Sequence, residues 1–384
     1  MNMKSLAAVC HGVGEDWRVQ EIEIDELGPS DVHVQLAFAG LCHSDEHVRV
    51  GDFAATEDAL ASLGVSSMFP VVGGHEGAGI VRKVGSRVST VAPGDHVAVS
   101  FVPACGTCFY CASGRSNLCD ATAATLAGPM ITDGVWRHHV DGANLNRMSQ
   151  VGTFCEQLVC SERSLIKIPP DVPLDVAAIV SCGVATGFGS SVRRGDVRPG
   201  QVVVVVGCGG VGHGALLGAV SAGARAIVAV DPVGYKREMA QRFGATHVAD
   251  SMTEALPVVA EITAGRMADV AVLTPGLLRG GMLIEALPLV CKDGRVVCTA
   301  VQRWDEIDAQ VSLYELAMYN KAILGSLFGS TGPREQIPAI LDLYRAGRLP
   351  LDDLVTERYA LADVNKGYAD MNAGRIVRGV IAFG

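Results

Sequence analysis

The sequence predicts an α/β protein of two domains, one β-rich and one built on a doubly wound parallel sheet. Three observations carry this prediction. Short runs with alternating or β-branched apolar residues, broken by Gly, Pro and Asp, fill the first half. From about residue 184, continuous apolar runs alternate with helical segments, the pattern of right-handed βαβ crossovers. The chain of 384 residues is also longer than one domain usually holds.

In the first half, "EIEIDELGPSDVHV" reads as a strand, a turn and a strand, and "DVHVQLAFAG", "GIVRKVGSRV" and "DHVAVSFV" as strands. In the second half, "QVVVVVG" is a continuous apolar run, as expected of a parallel strand buried on both faces. The helix "VGHGALLGAVSAGA" and the strand "RAIVAVD" follow it. Next come "KREMAQRFGA" with "THVAD", the strand "ADVAVLT", and a helix "LIEALPLVCKDG" leading into the strand "RVVCTAV". The tail from about 328 is mixed, with a helix "QIPAILDLYRAG" and a last strand "GVIAFG". There is no internal repeat and no low-complexity segment.

Hydrophobic residues make up 49% and charged residues 19%, an ordinary globular balance. A net charge of −10 argues against nucleic acid or an anionic membrane surface as partner. The N-terminal apolar stretch is too short for a signal-peptide core, and no run approaches the length of a membrane span. A cytoplasmic protein with no membrane association is therefore expected. In that compartment twelve cysteines read as thiolate ligands or buried thiols, not as disulfides.

"CGTCFYCASGRSNLC" sets Cys105, Cys108, Cys111 and Cys119 in a C-x2-C-x2-C-x7-C array. Four thiolates on a compact loop can close a tetrahedral shell around zinc and leave no position for a substrate, so the expected role is structural. An iron–sulfur cluster and unliganded thiols are the rival readings.

"VVVVVGCGGVG" places Gly207, Gly209 and Gly212 in GxGxxG spacing, with Gly210 and Val211 between them, after a buried strand and opening a helix. The first glycine permits the tight turn, the second lets a pyrophosphate approach the backbone, and the third lets helix and strand pack closely. The helix N-terminus then faces the phosphates. Asp231 ends the next strand, nineteen residues beyond Gly212, where its carboxylate can accept hydrogen bonds from ribose hydroxyls and repel a 2′-phosphate. NAD is therefore expected over NADP. The rival reading is an ordinary glycine turn.

"GLCHSDEH", "GGHEGAG", the four-cysteine loop, "SCGVATGFG", "VGCGGVG", "VAVD" and "IVRGVIAF" follow one another in the order found in the zinc-dependent medium-chain alcohol dehydrogenases, and over essentially its whole length the chain resembles that family. The resemblance implies a GroES-like β-rich catalytic domain at 1–183 and 328–384, and a Rossmann NAD-binding domain at 184–327. It implies two zinc ions per chain and NAD(H). Cys42, His75 and Cys182 would hold a catalytic zinc with an open fourth position, and the adjacent Glu76 could swing in to displace zinc-bound water. Asp45 would orient His75. Ser44 would hydrogen-bond the substrate oxygen and His47 would pass the proton outward. His43 and Arg378 would lie at the cofactor pyrophosphate, Lys236 at the adenosine ribose and Thr186 at the nicotinamide. Phe101 and Met148 are expected pocket walls, though either could be plain core.

The implied reaction is reversible oxidation of a small alcohol to an aldehyde or ketone, with zinc as Lewis acid and hydride passing to nicotinamide. A homodimer or homotetramer is implied. "VRVGDFAATEDALASLGVSSMFPVVG" is longer than the family's usual connection between the first two ligands, and "ATEDALASLG" reads as a short helix with Ala59, Leu60 and Leu63 apolar. A similar insertion is found in actinobacterial nicotinoprotein alcohol dehydrogenases, which keep NAD(H) bound and use a nitrosoaniline acceptor. That resemblance implies a retained cofactor and an external electron carrier. The alternatives are a glutathione- or mycothiol-dependent formaldehyde dehydrogenase and, from a different class, a non-catalytic redox-sensing relative.

Overall fold

The computed structural model of the chain describes residues 3–53, 55–303 and 306–384. It divides into two compact units, Met1–Cys182 with Gly332–Gly384, and Gly183–Thr331.

The first unit carries two sheets. One has the strand Met3–Cys10 paired antiparallel with Arg18–Ile24 and, on its other side, with Val71–Val72. The other centres on Asp31–Gly40, flanked by Glu76–Val84 and by the C-terminal strand Arg378–Ala382. Val32, Val34 and Leu36, alternate residues of the central strand, enter one buried apolar cluster with Val81, Val97 and Leu158. That is the period-two pattern by which "DVHVQLAFAG" is read as a strand.

The second unit holds a six-stranded sheet in the order His247–Ala249, Ala226–Val230, Val202–Val206, Ala268–Leu273, Val290–Cys298, Ala322–Gly325. Every neighbouring pair is parallel. In chain order this is 3-2-1-4-5-6, the doubly wound order of dinucleotide-binding folds. The run of five valines explains itself in this setting. Val202, Val204 and Val206 enter one core cluster while Val203 and Val205 enter another, so neither side of the strand needs polar residues.

Three elements differ from the sequence reading. The strand Val290–Cys298 takes up "VCKDG", read above as helical, because Pro288 has no N–H to continue the helix Gly281–Ala286. A helix Met252–Ile262 stands where none was read, although Ser251 and Glu254 have the S-x-x-E spacing of a helix start and the Ser251 side chain accepts from the Glu254 N–H. Lastly, Leu174–Arg194 forms one 21-residue helix with mean hydropathy 1.3 in its most apolar window, so the expectation of no run of spanning length needs correction. Since 83% of that window is buried inside the protein, burial in the core accounts for its hydropathy.

Candidate active site and metal centres

Cys42 stands two residues past the strand Asp31–Gly40, at the N-cap of the helix His43–Val50. His75 immediately precedes the strand Glu76–Val84, and the antiparallel register sets Gly40 opposite Glu76. The two side chains therefore arrive at the same end of the sheet. Cys182 sits in a π turn, Val180–Val184, of the long helix, whose first turns pack on both strands. The donor atoms of Cys42, His75, Glu76 and Cys182 lie within 4.8 Å of one another, and all four residues are buried.

The surroundings organise this cluster. Asp45 Oδ2 lies 3.0 Å from His75 Nδ1, while Asp45 Oδ1 accepts the Gly74 N–H at 2.8 Å. A carboxylate on Nδ1 makes Nε2 the nitrogen with a lone pair to give. Burial alone would depress the His75 pKa, but the charges of Asp45 and Cys42 hold it well above the usual value. A hydrogen bond from Cys182 holds the Cys42 thiol well below its usual range and the Cys182 thiol well above. Burial pushes the Glu76 carboxyl up to about 8, against the pull of Arg378. Two thiols, one oriented imidazole and a carboxylate are donors that suit zinc, and gathered out of water without a cation they would be costly.

Arg378, expected at the pyrophosphate, also reaches the donor cluster. Its Nη2 donates to Glu76 Oε2, and the pair is buried. Its Nε has no partner among the described residues. Ser44 Oγ is 3.7 Å from Cys42 Sγ. His47 Nδ1 is 3.2 Å from Asp52 Oδ2, a contact no reading of the sequence anticipated. His43 stands one helical turn before His47, their rings 6.1 Å apart. Phe101 is edge-on to the His75 ring at 5.6 Å, whereas Met148 joins a buried cluster with Leu60, Met68 and Phe154.

The sulfurs of Cys105, Cys108, Cys111 and Cys119 also lie within 4.8 Å of one another. Backbone N–H groups of Cys108, Cys111 and Cys105 point at the sulfurs of Cys105, Cys108 and Cys119, each at 3.4 Å. Such amides stabilise thiolates. Burial raises the Cys105 pKa, but the Thr107 and Cys108 amides outweigh it and bring it down to about 6. The loop is shaped for a closed tetrahedral ion.

In the second unit, Gly207 has φ +92°, and a Cβ there would strike the Thr274 carbonyl. A Cβ at Gly212 would collide with the Gly207 carbonyl, so helix and strand touch only because both residues are glycine. At Gly209, the N-cap of the helix Gly210–Ser221, a Cβ would meet nothing within 4 Å. The fold does not need that glycine, which suits close approach by a phosphate. Asp231 accepts the Cys208 N–H at 2.8 Å and the Val233 N–H at 2.9 Å, each oxygen keeping a lone pair for a ribose hydroxyl. Lys236 is half-buried on the following helix, Gly234–Arg242, and Thr186 is buried in the helix Ala185–Gly189. His213, in the first turn of the glycine-loop helix, escaped the sequence reading. It is fully buried, with Nδ1 3.0 Å from the Gly209 carbonyl.

Residues 28–170 match the alcohol dehydrogenase GroES-like domain and residues 210–346 the zinc-binding dehydrogenase domain. Alcohol dehydrogenase B of Mycobacterium tuberculosis is 44% identical over 99% of each chain. NDMA-dependent alcohol dehydrogenase of Amycolatopsis methanolica is 43% identical, again over 99% of each. S-(hydroxymethyl)glutathione dehydrogenase of Saccharomyces cerevisiae is more distant, at 30% over 99% of this chain and 96% of its own. The solved structure of benzyl alcohol dehydrogenase from Acinetobacter calcoaceticus superposes with a TM-score of 0.87 at 28% identity, covering 100% of both chains.

Proposed function

The chain belongs to the zinc-binding medium-chain alcohol dehydrogenases, an oxidoreductase with GroES-like and Rossmann-type folds, and on that premise we propose that it oxidises small alcohols with an NAD(H) it retains between turnovers. The observation that carries the reading is the buried set Cys42, His75, Glu76 and Cys182 with Asp45 behind it.

Zinc held by Cys42, His75 and Cys182 supplies Lewis acidity that makes an alcohol hydroxyl acidic near neutral pH, and NAD is the hydride acceptor. The chain's own groups do the rest. Ser44 Oγ positions the alcohol and takes its proton, and His47 hands that proton outward. Asp45 fixes the His75 ring. Glu76, which accepts from Arg378, would be a further ligand for that zinc. Phe101 and Met148 wall the substrate pocket. Gly207, Gly209, Gly210, Val211 and Gly212 admit the pyrophosphate, toward which His43 and the Arg378 Nε contribute. Asp231 and Lys236 hold the adenosine ribose, Asp231 excluding a 2′-phosphate, and Thr186 packs on the nicotinamide. Cys105, Cys108, Cys111 and Cys119 hold a second, structural zinc. Catalysis is assigned to 1–183 with 328–384 and cofactor binding to 184–327.

Retention draws support from the NDMA dependence named for the Amycolatopsis relative and from segment 50–72, of which Ala54 lies outside the described residues. The helix Glu57–Ser62 is capped by Thr56 and buries Leu60 beside Met68 and Met148. Asn146 Nδ2 donates to the Ser67 carbonyl, and the Asn146 N–H to that of Pro70. A segment held this way is a packed element that slows opening, and opening limits release in many dehydrogenases. An external carrier then reoxidises the cofactor in place. Exposed Ile307, Leu313, Tyr314 and Met318, close in sequence to the edge strand Ala322–Gly325, support a homo-oligomer. A cytoplasmic location suits cysteines used as thiolate ligands.

The test is to purify the protein without added NAD, denature it and quantify the nicotinamide set free. Near-stoichiometric cofactor, with turnover supported by a nitrosoaniline and not by added NAD, is expected. An empty protein that oxidises alcohols with added NAD would overturn retention.

A further inference from the structure

We propose that Asp52 is a positioning residue for proton transfer, holding His47 as its Nδ1–H tautomer so that Nε2 is the nitrogen that receives the substrate's proton. The proposal rests on the reading of His47 as the relay. Its geometric basis is the 3.2 Å separation of Asp52 Oδ2 and His47 Nδ1. An ionised carboxylate can only accept, so the ring nitrogen facing it must carry the hydrogen and the lone pair must sit on Nε2.

The backbone sets this contact. The helix His43–Val50 ends at Gly51, whose φ of +90° turns the chain back beneath the last turn, with the Gly51 N–H on the Val48 carbonyl. The Phe53 N–H closes on the His47 carbonyl at 3.0 Å, and Gly14 N–H donates to the Arg49 carbonyl at 2.7 Å. A Cβ at Gly51 would stand 2.8 Å from Val13 Cγ1, so strain and crowding both favour glycine there. The two acids of this helix, Asp45 and Glu46, are engaged elsewhere. Asp45 faces His75 and Gly74, while Glu46 holds Arg49 at 2.8 and 2.9 Å and accepts from Asn372 at 2.9 Å. The His47 side chain is 9% exposed and that of Asp52 28%, so the pair is sheltered more than an ordinary surface ion pair and still reaches water.

The proton balance follows. The alcohol O–H bond breaks and its proton, handed on by Ser44 Oγ, ends on His47 Nε2, giving an imidazolium with both nitrogens protonated. Asp52 Oδ2, facing Nδ1, stabilises that cation. Nε2 then loses its proton to water, and the ring returns to the tautomer in which it began.

Asp52→Asn tests this because its amide can donate to Nδ1 and stabilise the opposite tautomer, with the proton on Nε2. The expected result is a kcat for alcohol oxidation lower by about 10- to 100-fold, with zinc content and KM for the alcohol unchanged and Asp52→Glu recovering part of the loss. The second readout needs no turnover. In 15N-histidine-labelled wild type, with the His47 resonance identified by its loss in His47→Gln, Nδ1 should be the protonated nitrogen, and Asp52→Asn should move the proton to Nε2. A wild type with no alcohol or aldehyde turnover would fail the functional reading while this spectrum still judged the pair. An active wild type with Nε2 protonated, or an Asp52→Asn variant with unchanged kcat, would overturn the proposal.

Discussion

The buried His75 presents Nδ1 to the buried Asp45 at 3.0 Å, and the other Asp45 oxygen is tied to the backbone N–H of Gly74, the residue before that histidine. The carboxylate thus fixes both the ring and the turn that carries it. Asp45→Asn should weaken zinc affinity at the Cys42/His75/Cys182 site by about 10- to 100-fold while leaving the four-cysteine site loaded. Competition with a chelator followed by metal analysis measures this. Equal retention of both zincs in the variant would show that Asp45 is only a structural carboxylate.

The two donor clusters make separable demands. Cys182→Ala should give a folded protein with about one zinc and no activity, because three-ligand catalytic zinc does not survive loss of a thiolate. Cys108→Ala should reduce soluble yield and thermal stability, since structural zinc in small peptides contributes about 10–16 kcal/mol of apparent binding energy. One zinc in a fully active wild type would contradict the assignment.

Asp231 has two duties that one substitution can pull apart. Its oxygens accept the N–H groups of Cys208 and Val233, so Asp231→Ala should lower stability by about 1–3 kcal/mol through the amides it strands. The same change should narrow the preference for NAD over NADP. If the variant loses stability and keeps its full discrimination, the carboxylate serves the loop and not the ribose.

His213 gives a pH signature. Burial lowers its pKa from 6.5 to about 4, and its Nε2 has no partner among the described residues. Between those values the unfolded chain binds the proton and the folded chain does not, so this residue's contribution to stability is full above about pH 6.5 and lost as pH falls toward 4. A shift of that size corresponds to about 3 kcal/mol at most. Denaturant titrations from pH 7 to 4.5 should show this slope, and His213→Leu should flatten it. An unchanged slope would assign the acid sensitivity to other groups, such as His138.

Signals that lie within one stretch of chain were legible in the sequence. The valine strand, the glycine loop and the C-x2-C-x2-C-x7-C array each declare themselves through local spacing. The donors Cys42, His75 and Cys182 do not, because they are 33 and 107 residues apart and meet only through the pairing of Asp31–Gly40 with Glu76–Val84 and the seating of the long helix on both. Resemblance to a family supplied them. The Glu76–Arg378 pair spans 302 residues and left no local trace. The His47–Asp52 contact spans only five residues, yet it depends on the reversal at Gly51, and helical spacing alone would turn residue 52 away from residue 47. The long helix escaped notice because Ser181, Gly183, Thr186 and Gly187 break its apolar run while tertiary burial sustains it.

The most direct test of the account is alcohol-dependent reduction of protein-associated nicotinamide, followed by absorbance in one turnover before and after chelation of the zinc at Cys42, His75 and Cys182. The account predicts that reduction disappears when that one zinc is removed and returns when zinc is restored, with Cys105, Cys108, Cys111 and Cys119 keeping theirs throughout. Undiminished reduction by protein stripped of that zinc would contradict it.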